Sequence, residues 1–545
     1  MVMHHRLKAA APNSLIVQAM SPPLYPLRPT RSIHRRSFLA GTASLALAAL
    51  SREQVRGATT RQPKFSGYPF TLGIASGDPA ADGFVLWTRL APRPLEGDGG
   101  MAPEPVEVSW QVAEDEAMTK VVAKGTAIAT PEWGHSVHVE VQGLRPERWY
   151  WYQFKAGSEI SPIGRTRTFP AADALPERLR FAFASCQHYE TGLYTAYEHM
   201  LAEAPDLVLH LGDYIYEYAG IENRVRLHHG PEITTLHDYR VRLAQYKTDP
   251  ALQAMHAAAP WMVTWDDHEF DNNCAGDVSE EPDVSREDFL RRRAAAYQAY
   301  YENMPLRVSA MPKGPDMLLY RRVTCGRLAD FHVLDTRQYR TDQPCGDRNK
   351  PPCPESLSPE ATILGQLQRD WLFENLANSK AGWNVLAQQV MMARVDRAAG
   401  DDVAYSMDQW PGYEADRLRV LKHFHEQRVS NPVVLTGDIH SNWANNLVLD
   451  TESGKQRVVA TEFVGTSISS GGDGTLTPKN LEATYSENPF VKFHSAERGY
   501  VSCEITPKSW HTKYQAVEYV SRPGAPLRTR AEFVVEAGQP GLQKA

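Results

Sequence analysis

Cysteine is scarce in this chain, six among 545 residues. That excludes a disulfide-built scaffold and leaves apolar burial to hold the core. Neither charge sign dominates. The formal net charge of −7 is mild for the length and gives no electrostatic case for a nucleic-acid partner. No apolar run reaches membrane-spanning length: Phe38 to Leu50 has about 13 residues, within the range of a signal h-region and short of a bilayer span. A composition of 42% hydrophobic and 23% charged residues fits neither disorder nor a membrane bundle. Twelve Trp, 23 Tyr and 38 Pro point instead to strands and loops. The length exceeds what one hydrophobic core usually holds, so two domains are expected.

Residues 1–60 stand apart from the fold. Arg35-Arg36-Ser-Phe38-Leu39 ahead of the short apolar run resembles a Tat export signal. The expected partner of this segment is the Tat translocase, and the expected location is periplasmic or secreted. The mature protein should be soluble and monomeric. Cys345 and Cys353 flank a Pro-rich loop, which in an exported protein reads as a loop-closing disulfide. Cys325 and Cys503 read as buried thiols, and Cys274 has no evident role.

From 66 to 172 the chain shows short segments of strand composition, such as Val106–Val112 and Trp149–Phe154, separated by Gly, Pro and Asp. About seven strands in about a hundred residues read as an Ig- or fibronectin-like β-sandwich, without any metal or nucleophile constellation. The Ala- and Pro-rich stretch Phe169–Glu177 is the linker. A second domain is expected from 178 to 525, with 526–545 as a tail.

In that second domain strands alternate with helical segments, the α/β pattern. Four apolar stretches end in residues that bind metals. Leu179–Ser185 runs into Cys186, and Leu207–Leu211 into Gly212, Asp213 and Tyr216. Trp261–Trp265 runs into Asp266, Asp267 and His268, and Pro432–Thr436 into Gly437, Asp438 and His440. Ligands of α/β sheets gather at the carboxyl ends of strands, so four such endings predict one shared site. Two cations side by side can clamp a phosphate and activate water. Asp213 suits the bridging position. Cys186, Tyr216 and His440 favour a transition metal, iron(III) in particular. Asp266, Asp438 and the amide oxygen of Asn273 suit a hard cation such as calcium. His268 suits proton donation to a leaving oxygen, and Arg337, at the end of another strand, suits contact with phosphate oxygens. Arg291–Arg293 read as a solvated helix face, and His228-His229 as a polar loop without a role.

Ser-Cys-Gln, Gly-Asp-Tyr-Ile-Tyr-Glu, Trp-Asp-Asp-His-Glu-x-x-Asn-Asn, Leu-Asp-Thr-Arg-Gln-Tyr-Arg and Gly-Asp-Ile-His, in this order, resemble the PhoD-type alkaline phosphatase/phosphodiesterase family of the calcineurin-like metallophosphatase superfamily. The resemblance implies a β-sandwich flanked by helices and secreted hydrolysis of phosphate mono- and diesters, small or polymeric. It implies iron(III) on Cys186, Asp213, Tyr216 and His440, and calcium on Asp213, Asp266, Asn273 and Asp438. Aligning Asp267-His-Glu with the superfamily's Asn-His-Glu would make Asp267 the ligand in place of Asp266. A phospholipase D-like or cell-wall-polymer phosphodiesterase of the same fold is the alternative.

Overall fold

One long strand ties the architecture together. Val491–Ile505 pairs antiparallel with Asn442–Asp450 at its start and with Leu179–Ala184 at its end, so it belongs to two sheets at once. The computed structural model describes residues 63–450 and 456–545; the Tat-type signal within 1–60 lies outside the described residues. The first sheet runs Ile74–Ala80, Pro260–Thr264, Leu207–Leu211, Leu179–Ala184 and Val491–Ile505, with parallel pairing through its first four strands. The second runs Arg321–Cys325, Ala329–Val333, Trp383–Ala387, Pro432–Thr436 and Gln456–Val464, then Asn442–Asp450.

Both central sets are buried along their whole length, as parallel strands covered on both faces must be. Phe181, Phe183 and Leu209 meet Phe331, Val385 and Leu435 in the layer between the sheets. Helices Thr195–Glu203, Leu236–Lys247, Pro250–Ala258 and Arg286–Asn303 cover the outer face of the first sheet. Gly365–Asn378 and Glu414–Glu426 cover the outer face of the second. Several helix starts are written locally: Thr235 and Asp238 form a reciprocal capping box, and Asp249 caps a helix with Pro250 in its first turn.

The amino-terminal strands divide between two faces. Val106–Ala113, Val121–Ala129, Trp149–Ala156 and Gly164–Arg167 form an antiparallel sheet. Its apolar side packs through Val108, Tyr152 and Phe154 onto Phe84 and Leu86. The opposing strands Ile74–Ala80, Gly83–Arg89 and Ser136–Val141 continue into the first large sheet, because Ser76 and Gly77 pair with Pro260 and Trp261. A Cβ at Gly77 would lie 2.4 Å from the Pro305 carbonyl oxygen and 2.8 Å from that of Trp261, so the junction requires glycine. Residues 62–545 accordingly form one compact unit, a continuity that strand composition alone does not reveal.

The expected tail at 526–545 is instead an antiparallel hairpin, Leu527–Glu536 with Gln539–Lys544, added to the strand Ser509–Val517. Its pairing is with a strand that sequence reading overlooked. Cys345 and Cys353 are joined, and Cys186, Cys274, Cys325 and Cys503 are free and buried. Among the described residues no helix is long and apolar enough to cross a membrane.

Candidate metal centre

The carboxyl ends of Leu179–Ala184, Leu207–Leu211, Pro260–Thr264 and Pro432–Thr436 converge, and each delivers a turn. Cys186, Asp213, Asn273, Asp438 and His440 all take positive φ, between 48° and 66°. L-residues adopt this region at a cost, so five in one place mark a backbone bent for the sake of its side chains. The turns are stitched together: the N–H groups of Cys186 and Gln187 donate to the carbonyls of Gly212 and Asp213 at 3.1 and 3.0 Å. Gly212 permits the approach. A Cβ there would lie 2.5 Å from that of Asp266.

Ligand atoms of Cys186, Asp213 and His440 lie within 4.8 Å of one another, as do those of Asp213, Asp267 and His268. Asp213 belongs to both groups. Tyr216 joins the first: its hydroxyl is 2.9 Å from Asp213 Oδ2 and 3.0 Å from His440 Nε2. Asp438 accepts the Gln409 amide at 3.0 Å, and its backbone carbonyl is 3.6 Å from the Cys186 sulfur. Asn273 spends its side-chain NH2 on Glu280 and Asp347 at 3.3 and 3.4 Å. Among the described residues, Asp213 Oδ1, Asp266 Oδ2 and Gln409 Oε1 are buried without any hydrogen-bond partner. Buried carboxylate oxygens left bare are costly, and a cation is what such a set accommodates. The residues therefore fit metal ions.

Models of the PhoD-like phosphatase family match residues 181–514, and models of its N-terminal domain match 56–170. Alkaline phosphatase D of Bacillus subtilis (strain 168) is 52% identical over 519 residues, covering 94% of this chain and 89% of its own. The chain belongs to the PhoD-like phosphatase family. It is, on that footing, a phosphoric ester hydrolase. A solved structure of PhoD superimposes with a TM-score of 0.86 at 53% identity, over 89% of this chain and 93% of that one, so the mixed β-rich architecture is shared as well.

Burial shapes the electrostatics of this PhoD-like centre. It pushes the Cys186 thiol well up, with Asp213 adding to the effect, and does the same to the Tyr216 phenol. It raises the Asp213 and Asp266 carboxyls, brings Asp438 up to about 6 and lowers His440 to about 3. A centre that disfavours every charged ligand form in this way is one that a cation reverses. His268 behaves differently. Burial works against its charged form, but Glu217, Asp267 and Asp213 outweigh that and hold the imidazole well above its ordinary value. Glu217 Oε2 lies 2.8 Å from His268 Nδ1, which leaves Nε2 as the outward nitrogen.

The two aspartates after Trp265 divide the work. Asp267 accepts the backbone N–H groups of His268 at 3.0 Å and Asn273 at 2.8 Å, which shapes the turn. Asp266 keeps Oδ2 bare while Oδ1 takes Arg337 Nε. Arg337, expected to meet phosphate oxygens, faces carboxylates in this structure. Its guanidinium is fully buried, and its remaining donors go to Asp408 at 2.8 and 3.0 Å, because three carboxylates in that corner need a counter-charge.

Sequence reasoning missed three further contributors. Glu269 accepts the N–H groups of Asp213 at 3.1 Å, Tyr214 at 2.5 Å and Asp266 at 2.8 Å, bolting two ligand turns together. Ser470, in what reads as an unremarkable loop, donates to the Tyr216 hydroxyl at 2.8 Å and accepts the His188 N–H at 3.1 Å. His228 is no idle loop residue: it is buried with Nε2 2.9 Å from the Tyr246 hydroxyl, which accepts the Tyr216 N–H at 3.2 Å. Arg293 likewise leaves the solvated face assigned to it and donates to the Pro315 carbonyl at 2.9 Å. Only the Glu269 position, inside Asp-Asp-His-Glu, carried a sequence signal.

Proposed function

We propose that the protein hydrolyses phosphate mono- and diesters with water at a two-cation centre, and that Asp213 is the residue both cations share. The observation that carries this reading is that Asp213 clusters with Cys186 and His440 while its Oδ1, like Asp266 Oδ2, is buried with no hydrogen-bond partner among the described residues. Cys186, Tyr216 and His440 complete a site suited to iron(III), and Asp266, Asn273 and Asp438 a site suited to calcium. When bound there, the ions supply an acidified water and charge stabilisation of the phosphoryl oxygens. The chain's own residues supply the rest. His268, held at Nδ1 by Glu217, carries a proton on Nε2 for the departing alkoxide or phenoxide oxygen. Arg337 and Asp408 keep Asp266 in place.

The calcineurin-like label for the two large sheets and the Ig-like label for the amino-terminal sandwich belong to the same reading, as does a division near 172–178 between domains spanning 66–172 and 178–525, which share a sheet through Ile74–Ala80 and so form one compact unit. Export to the periplasm or beyond is supported by the Arg35-Arg36 segment and by the Cys345–Cys353 bond. The deciding experiment is Asp213→Asn, purified from a host that loads the native metals. Its metal content should fall at both sites, and hydrolysis of a bis-aryl phosphodiester should drop by about three orders of magnitude or more, the scale of a lost transition-state contact. A variant with full metal and full activity would refute the shared-ligand reading.

A further inference from the structure

An anionic ester calls for a cation that is not already committed, and most guanidiniums around the cradle are anchored by two or more partners. Arg337 is held by Asp266 and Asp408. Arg340 is anchored through Nη1 to Asp408 and Nε to the Thr336 carbonyl, and its Nη2 is enclosed in the interior. Arg498 is taken up by Ser467 and the carbonyls of Ser470 and Ala496. Arg242 binds the carbonyls of Tyr216, Tyr218 and Pro231.

Arg397 is different. Its guanidinium carbon lies 4.8 Å from the ring centroid of Trp443. Among the described residues the side chain makes neither a hydrogen bond nor an ion pair; only its backbone N–H is engaged, with the Ala404 carbonyl at 2.8 Å. The platform beneath it is rigid. Trp443 is buried, its indole N–H donates to Ser441 at 2.8 Å, and the His494 imidazole stacks on it at 3.5 Å. Trp443 is the second residue of the strand Asn442–Asp450, three residues after His440, so the turn bearing His440 leads directly into this platform. Burial lowers the guanidinium to about 10 while the Asp438 carboxylate pulls it up, which leaves it charged in working buffers and within the field of a candidate ligand.

We propose that Arg397 is a substrate-binding residue of this centre, whose free N–H fork takes the phosphoryl oxygens of the ester and of product phosphate. A guanidinium fork matches two phosphoryl oxygens at once, and a flat aromatic face fixes its plane before substrate arrives. The assignment rests on phosphate-ester hydrolysis as proposed above.

The test compares Arg397→Met and Arg397→Lys with wild type in metal-loaded enzyme. It reads KM and kcat for an aryl phosphodiester, inhibition by inorganic phosphate, metal per chain and the melting curve. Arg394→Met serves as a control on the same loop, since Arg394 stacks on Tyr405 at 4.2 Å and already faces Glu414 at 3.7 Å. For Arg397→Met, KM and the phosphate inhibition constant should both rise about ten- to hundredfold, the scale of a charge-assisted fork, with metal content unchanged. Arg397→Lys, which keeps the charge but loses the fork, should fall between, and carries the test if the Met variant does not fold. Wild-type KM and phosphate inhibition in both variants would overturn the proposal, as would a fall in kcat alone. Those failures leave the metal-centre reading intact, because Asp213→Asn tests that separately.

Discussion

Replacing Glu269 probes how the two halves of the cradle are held together. The side chain touches no candidate ligand atom; it receives three backbone N–H groups, from Asp213, Tyr214 and Asp266. Glu269→Ala strands all three in a buried place, at ~1–3 kcal/mol each if they stay dry, and water entering the space left behind should bring the total to ~3–5 kcal/mol. In Glu269→Gln the amide has one oxygen, so at least one N–H meets another donor, and ~1–3 kcal/mol is lost. Unfolding entropy of about 2.1 cal/mol/K per residue over roughly 480 residues gives about 1 kcal/mol per degree, so Tm should fall by ~3–5 °C for Ala and ~1–3 °C for Gln. Metal retention should suffer more, by about ten- to hundredfold in affinity, because both turns that present Asp213 and Asp266 lose their common anchor. Calorimetry and metal analysis on the same preparations read both quantities. If Glu269→Ala melts within a degree of wild type and keeps its metals, Glu269 is not what joins the turns.

Three other perturbations follow from the same geometry. Glu217→Gln removes the largest influence raising the His268 pKa; the imidazole then gives up its proton at lower pH, so the alkaline limb of the kcat profile should move to lower pH, and an unmoved limb would argue against His268 as the acid. Gly212→Ala places a methyl 2.5 Å from the Asp266 Cβ at a backbone φ of +104°, and should yield protein depleted of metal, or none that is soluble, whereas Gly230→Ala meets nothing within 4 Å and should cost only its φ strain. Breaking Cys345–Cys353, a bond spanning eight positions, removes ~2–3 kcal/mol of loop-closure stabilisation; limited proteolysis should then cut between 343 and 356 in the Cys353→Ser variant before any other site.

How far the site was legible depends on how each residue does its work. Cys186, Asp213, Asp266, Asp438 and His440 follow directly on buried strands, and position after an apolar run is a one-dimensional signal. The disulfide was legible for the same reason, being local. What stayed hidden acts across the sequence. Ser470 reaches Tyr216 from 254 positions away, and nothing in Ser-Ser-Gly-Gly announces it. Arg337 was legible as a cation at a strand end but not as one encircled, since Asp408 lies 71 residues on in a segment with no strand pattern. The amino-terminal sandwich was legible as strands, whereas its fusion to the main sheet hangs on Gly77, whose need for closeness shows only when Pro305 and Trp261 are in place.

The backbone at the candidate ligands supplies the last step. Positive φ at Gly212 leaves a mark in the sequence, because glycine is the residue that takes it freely. At Cys186, Asp213, Asp438 and His440 the same region of φ is occupied by residues that pay for it, and the sequence records only side chains. A fold that wanted nothing but stability would place glycine or asparagine at such turns. Retaining a thiol, two carboxylates and an imidazole there means the side chains are required where the backbone is unfavourable. The strain and the bare oxygens of Asp213 and Asp266 have the same consequence: the apo cradle should be the least stable part of the protein, and loading it should raise Tm by a ligation term that grows with free metal concentration. Glu269 and the Arg337–Asp408 pair are the means by which those turns keep their shape before the ions arrive. A melting temperature indifferent to metal would therefore count against a functional reason for bending these four residues.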